Sequence, residues 1–319
     1  MAFGIVRFGG PDDWNLIKEL PFCSADFEVR STRYLDTSTI LQVIATHPSD
    51  PVEWLAYVLA QGVDVNEADI WAKDGCDSPY RHCRSRGPPL QQSCFYGLES
   101  CATLLLDSGA DINYSACELG SPLQAATRSS HHAMVRLLLD RHADVNQVGG
   151  EFGTPLQAAV WVGDKELILL LLDNGADINS TGGALGSPLA AAIAKQHSGI
   201  IDLLFDRDAD PGSTAYLQLM KIGRANSLAI SAGFEYIWGE ICCRTPLIWA
   251  VHHEDKTMVQ KLLMKGAGVN FPSERCRINT NFVRNSQLYH PLCPAIKTGN
   301  AEIIELIRQS SANIWIDAG

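Results

Sequence analysis

The feature that most constrains this chain is that it repeats itself. Four stretches align in register: PLQQSCFYGLESCATLLLDSGADIN from Pro89 to Asn113, GSPLQAATRSSHHAMVRLLLDRHADVN from Gly120 to Asn146, GTPLQAAVWVGDKELILLLLDNGADIN from Gly153 to Asn179, and GSPLAAAIAKQHSGIIDLLFDRDAD from Gly186 to Asp210. Their prolines stand at 89, 122, 155 and 188, a constant step of 33. A fixed period in the range of about 20–50 residues marks stacked supersecondary units, each too small to bury its own apolar face.

The letters of one copy build that unit. Thr154 or Ser121 before a proline is a helix N-cap with Pro at the first helical position, where the missing N–H costs nothing. Ala158 and Ala159 then let a short helix sit close to its neighbours. Gly163 turns the chain, and a second helix carries Leu167, Ile168, Leu170, Leu171 and Leu172, too apolar to face water. Gly175 suits the left-handed position that ends it. The predicted unit is helix, turn, helix, loop.

The TPLxxAA motif, followed by LLL and then GADIN, resembles the ankyrin repeat. The GGxxGTPLQAA form, with Gln157 where that family usually has His, is similar to arrays common in filamentous fungi. The resemblance implies an all-α ankyrin-repeat solenoid of about eight helix–turn–helix units.

With the register known, further copies surface at Thr245–Asn270, His290–Ile314 and, with two extra residues between its helices, Thr39–Asn66. The step from Pro188 to Pro246 is 58, and a degenerate unit with Tyr216 in the proline slot fills it. The expected organisation is a capping segment over 1–36 and a repeat domain over 37–319. Its units lie near 39–66, 88–113, 121–146, 154–179, 187–212, 214–237, 245–270 and 290–319. The unit at 214–237 is shortened, and the loops between Asn66 and Pro89 and between Ala267 and Pro291 gain 14 and 12 residues as elongated fingers.

Composition narrows the function classes. Ten cysteines are scattered rather than paired, and several take repeat positions where Ala or Val would serve, which fits reduced, core-filling thiols. There is no apolar run of about 18 residues and no signal-peptide pattern at the start, so a cytosolic or nuclear protein without a membrane span is expected. A net charge of −11 argues against general nucleic-acid binding, which needs clustered Lys and Arg. Only the long fingers are locally basic, through Arg81, Arg84 and Arg86 and through Arg275, Arg277 and Arg284, and they leave room for an anionic partner there.

No catalytic motif stands out, so neither enzymatic activity nor a cofactor is expected. Cys76, His82 and Cys83 fall short of the four ligands of a structural zinc site, and vicinal Cys242 and Cys243 read as spacer residues before a helix. His131 and His197 fall where the ankyrin pattern itself often has His, whereas His252 and His253 are freer. Glutamines at 42, 91, 124 and 157 occupy one slot in successive copies. They would either line a recognition stripe or, the favoured reading, satisfy backbone groups of the adjoining turn, as buried amides must.

The ankyrin resemblance also implies a binding face, made of the finger loops and the ends of the first helices. Carried over position by position, it falls on Phe95 and Tyr96, Arg128, Trp161, Lys195, His252 and His253, with Glu118 and Glu151 in the flanking fingers. Trp, Tyr and Arg are the residue types that dominate interface energetics. Trp161 could equally pack as core. The partner expected is a protein or peptide segment. The alternative is a small-molecule binder or noncanonical enzyme using an aromatic pocket over 213–250, with Tyr216, Tyr236 and Trp238 among its rings.

Overall fold

The computed structural model describes residues 28–30, 37–39, 41, 44–45, 52–60, 62–66, 87–115, 119–182, 186–213, 245–269, 295–296 and 298–316. They comprise a short antiparallel ladder, β1 (Glu28–Arg30) with β2 (Thr37–Thr39), and then helices only. These are α1 (Val52–Ala60), α2 (Pro89–Tyr96), α3 (Glu99–Asp107), α4 (Pro122–Arg128), α5 (His132–Asp140), α6 (Pro155–Val162), α7 (Lys165–Asp173), α8 (Pro188–Ala194), α9 (Ser198–Asp206), α10 (Pro246–His252), α11 (Lys256–Met264) and α12 (Ala301–Ile316). The chain divides into two compact units, Met1–Gly150 and Glu151–Gly319. No described helix is long and apolar enough to cross a membrane.

Each first helix starts as the TPL signature predicts. In α6, Thr154 accepts from the Gln157 backbone N–H at 3.3 Å while the Gln157 side-chain oxygen accepts from the Thr154 N–H at 2.9 Å, a closed capping box. Ser121 and Gln124 repeat it in α4. Ser187 and Thr245 cap α8 and α10 with the hydroxyl alone. Behind the cap the small residues disappear into the stack: Ala125, Ala126, Ala158, Ala159, Ala190 and Ala191 are buried. The second helices bury the leucine stripe, with Leu167, Ile168 and Leu171 at 0% exposure in α7. Each such side chain contributes about 1.5–3 kcal/mol when withdrawn from water. Cys94 and Cys101 are buried cysteines of α2 and α3 outside any disulfide, and burial pushes the Cys94 thiol far up.

The glutamine slot is structural. Gln91 donates to the carbonyls of Tyr114, at 3.0 Å, and Gly120. Gln124 donates to Gly149 at 3.0 Å, and Gln157 to Gly182 at 3.0 Å and to Gly186. One amide thus holds the loop that follows its own copy, about 25 residues on, and this is a buried demand rather than a recognition stripe. Gln42 lies outside the described residues.

The first unit stacks α4 against α2. The second stacks α6, α8 and α10 in turn, and α10 lies directly against α8. The unit expected at 214–237 lies outside the described residues, but the place beside α8 that the expectation assigned to it is taken by α10. Three bonds span the 57- and 59-residue separations. Gln196 Nε2 meets His253 Nδ1 at 2.8 Å, His253 Nε2 meets the Ala194 carbonyl at 3.1 Å, and Lys261 Nζ meets Asp202 at 2.7 Å.

Two changes test this account. Gln157→Ala strips partners from the Thr154 N–H and from two loop carbonyls, and urea denaturation should show a loss of roughly 2–3 kcal/mol. His142 sits at φ 65° in the slot that Gly109 and Gly175 fill in other copies. His142→Gly should therefore stabilise by roughly 0.5–1 kcal/mol in the same assay, and a loss would show that the imidazole makes a compensating contact.

Candidate functional site

The ends of α2, α4, α6 and α10 each carry two residues that the stack leaves at least partly exposed, α8 carries one, Lys195, and in the second unit these make a row. Trp161 ends α6 half-buried, with its ring tilted against Phe152 at 5.8 Å between centroids. Lys195, at the C-cap of α8, places Nζ 4.0 Å from the centre of the Trp161 ring. Val162, beside Trp161, is 37% exposed. On the next helix His252 and His253 stand with ring centroids 6.1 Å apart, and His252 lies 6.5 Å from Trp249.

The slot filled by Trp161 in α6 and by His252 in α10 holds Ala194 in α8, and that residue is buried. A small side chain therefore lies between two large ones, with Lys195 at its edge. Trp161 is half-buried: its ring packs on Phe152 and receives the Lys195 ammonium.

The histidines differ in role. His131 and His197 each lie over the turn of the preceding copy, where Nε2 reaches the carbonyls of Phe95 (3.1 Å) and Trp161 (3.5 Å). A Cβ added at Gly97 would come within 2.7 Å of the His131 ring, so that turn needs glycine for space as well as for its φ of +73°. In α11 the equivalent position is Asp255, which caps the helix by accepting from Met258. The carbonyl of Ala194 would lose its donor, and His253 supplies one from two positions earlier. Since a carbonyl only accepts, His253 Nε2 carries the proton and Nδ1 accepts from Gln196. His253 is thus an inter-repeat bond rather than a free group, while His252 stands half-buried beside it, in ring contact with Trp249 and His253.

In the first unit, Phe95 is half-buried and Tyr96 is 49% exposed, their rings edge to face at 5.2 Å. Arg128 is half-buried on α4. Glu151 departs from the expected flanking role, because it is only 7% exposed. Its loop, Gly149–Gly153, turns inward with Phe152 buried beside it. Glu118, the basic finger of Arg81, Arg84 and Arg86, and the rings of Tyr216, Tyr236 and Trp238 lie outside the described residues. Of the aromatic residues near the expected pocket, Trp249 is described, and at 3% exposure it is core. Among the described residues no cluster of three or more His, Cys, Asp or Glu could hold a metal ion.

Comparison with known proteins agrees with this geometry. The ankyrin-repeat model matches residues 90–182 as three copies, and a single ankyrin repeat matches 242–274. The crystal structure of the human ASB11 ankyrin repeat domain superposes with a TM-score of 0.52 at 22% identity, covering 86% of this chain and 98% of that one, a likeness of fold. No curated protein matches the chain.

Burial, and then the neighbouring His253, hold His252 below its ordinary value of 6.5. The unfolded chain therefore takes up a proton there before the folded chain does. Stability linked to His252 is fully present above pH 6.5 and is lost as pH falls through the lowered folded value. Urea midpoints at pH 7.5 and 5.5 should fall less in His252→Gln than in the parent, and equal falls would remove His252 from the account.

Proposed function

We propose that this chain, whose residues 90–182 and 242–274 match ankyrin repeats, works as a non-enzymatic adaptor that docks a segment of another protein on its first-helix ends. Ankyrin repeats generally serve as protein-interaction modules. The observation that carries the reading is the row from Trp161 through Lys195 to His252, where large side chains stay at the surface although the helices beneath them are fully packed. The Phe95–Tyr96 pair supports it in the first unit. Such clusters of aromatic and cationic residues are where interface binding energy concentrates. The buried thiol of Cys94, outside any disulfide, supports a cytosolic or nuclear setting.

The test is a pull-down from lysate of the source cells with the parent chain and with Phe95→Ala, Trp161→Ala. Partners docked on this face should be lost, with affinity reduced about tenfold or more for a purified partner. Thermal melts of both proteins must be compared first, since Trp161 packs on Phe152. A partner retained equally by both folded proteins refutes the face.

A further inference from the structure

We infer that the second-unit face takes an acidic segment: a partner carboxylate, from Asp or Glu, on the Lys195 ammonium, with an apolar side chain of the same segment against Trp161 and Val162. The inference rests on the docking function proposed above and names the chemistry of its occupant.

The charge of Lys195 is the starting point. Several described cations in the second unit have carboxylates: Lys256 meets Glu302 at 2.7 Å, Lys261 meets Asp202 at 2.7 Å, and Arg207 approaches Asp173 at 3.9 Å; Lys165 has no such ion pair among the described residues, and Lys265 lies over the Phe205 ring, away from the first-helix ends. Lys195 instead lies over the Trp161 ring, and among the described residues no carboxylate pairs with it. The acidic side chains near this face are committed elsewhere or withdrawn. Asp164 and Asp255 cap α7 and α11, and Glu151 is buried, which leaves Glu254 as the exposed one beside the row.

A chain with 36 acidic and 25 basic side chains thus places a cation with no carboxylate partner among the described residues on the ring of Trp161. The net charge of −11 disfavours an acidic partner at a distance, but exposed charges further than about 10 Å are largely screened at physiological salt. Contact chemistry then decides the choice of partner.

The ring fixes the geometry. Holding Nζ over Trp161 restrains a four-carbon chain that would otherwise lose rotamer freedom on binding, so the ammonium is pre-positioned. Ala194 adds shape, a small buried residue between Trp161 and His252 where a partner side chain can approach α8. Gln196, exposed next to Lys195, donates to His253 and offers its amide oxygen to a partner backbone N–H.

The experiment pans a displayed library of random 12-residue peptides on the full chain, discarding clones that also bind Trp161→Ala. The selected peptides should carry Asp or Glu at a constant distance from an aromatic residue or Leu. Lys195→Met, which keeps the stem over the ring without the charge, should weaken them about tenfold, and Lys195→Arg should restore most of that. Against peptides whose acid is changed to Gln or Asn, Lys195→Met should cost nothing more, which is the signature of a direct pair. Matching melting temperatures of the variants exclude misfolding as the cause. Trp161-dependent peptides that lack an acid, or that ignore Lys195→Met, overturn the acidic partner while leaving the docking face standing. A library that yields no Trp161-dependent clone overturns the docking face itself.

Discussion

One side-chain amide per copy carries much of this architecture. A helix of seven or eight residues leaves orphan N–H groups at its start, and the loop that leads to the next copy leaves carbonyls turned inward. Gln157 meets both demands: its oxygen closes the capping box with Thr154, and its nitrogen holds the carbonyls of Gly182 and Gly186. Gln91 and Gln124 hold the corresponding loops. A second ladder runs through the asparagines, where Asn66, Asn113 and Asn179 each accept, at 2.8 Å, from the backbone of Asp111, Asp144 and Asp210 in the following copy. Exposed ion pairs such as Arg141 with Asp107 add at most about 1 kcal/mol to this frame.

The frame tolerates changes of letter when the same atom is supplied from elsewhere. The carbonyl at the end of a first helix meets a histidine of the following copy at Phe95, Trp161 and Ala194. His131 and His197 reach it from the N-cap of the following second helix. In α11 that position is needed for Asp255 as a cap, and His253 reaches the same carbonyl from the C-cap of α10. The donor has moved by two residues while the acceptor has stayed. This substitution occurs where α10 meets α8, the junction at which the 33-residue step fails.

That junction marks the limit of what could be read in advance. Helix starts, the alanine pair, the leucine stripe and the role of the glutamines were legible because each is decided within one period, by a cap, a steric limit or a buried amide with a fixed offset. The left-handed Gly163 and Gly175, at φ +87° and +88°, belong to the same class. The neighbour of α8 was not legible, since spacing alone does not say whether 58 residues hold a copy or only separate two. The partner of His253 depends on that adjacency and was hidden with it. Glu151 was misread for a related reason: its loop turns inward, a tertiary fact with no periodic signal.

The candidate site divides along the same line. Positions at the helix ends follow from the register, so Phe95, Tyr96, Trp161 and Lys195 could be named from spacing. Their chemistry could not, because it arises between copies: Lys195 matters for lying over Trp161, 34 positions earlier, and Trp161 is held by Phe152 in the preceding loop. The helix-end slot is also where the frame asks least of a side chain, since Trp161, Ala194 and His252 all fit it above unchanged backbones. At that slot Trp161, half-buried against Phe152, carries the Lys195 ammonium over its ring, a contact between copies that no single period encodes.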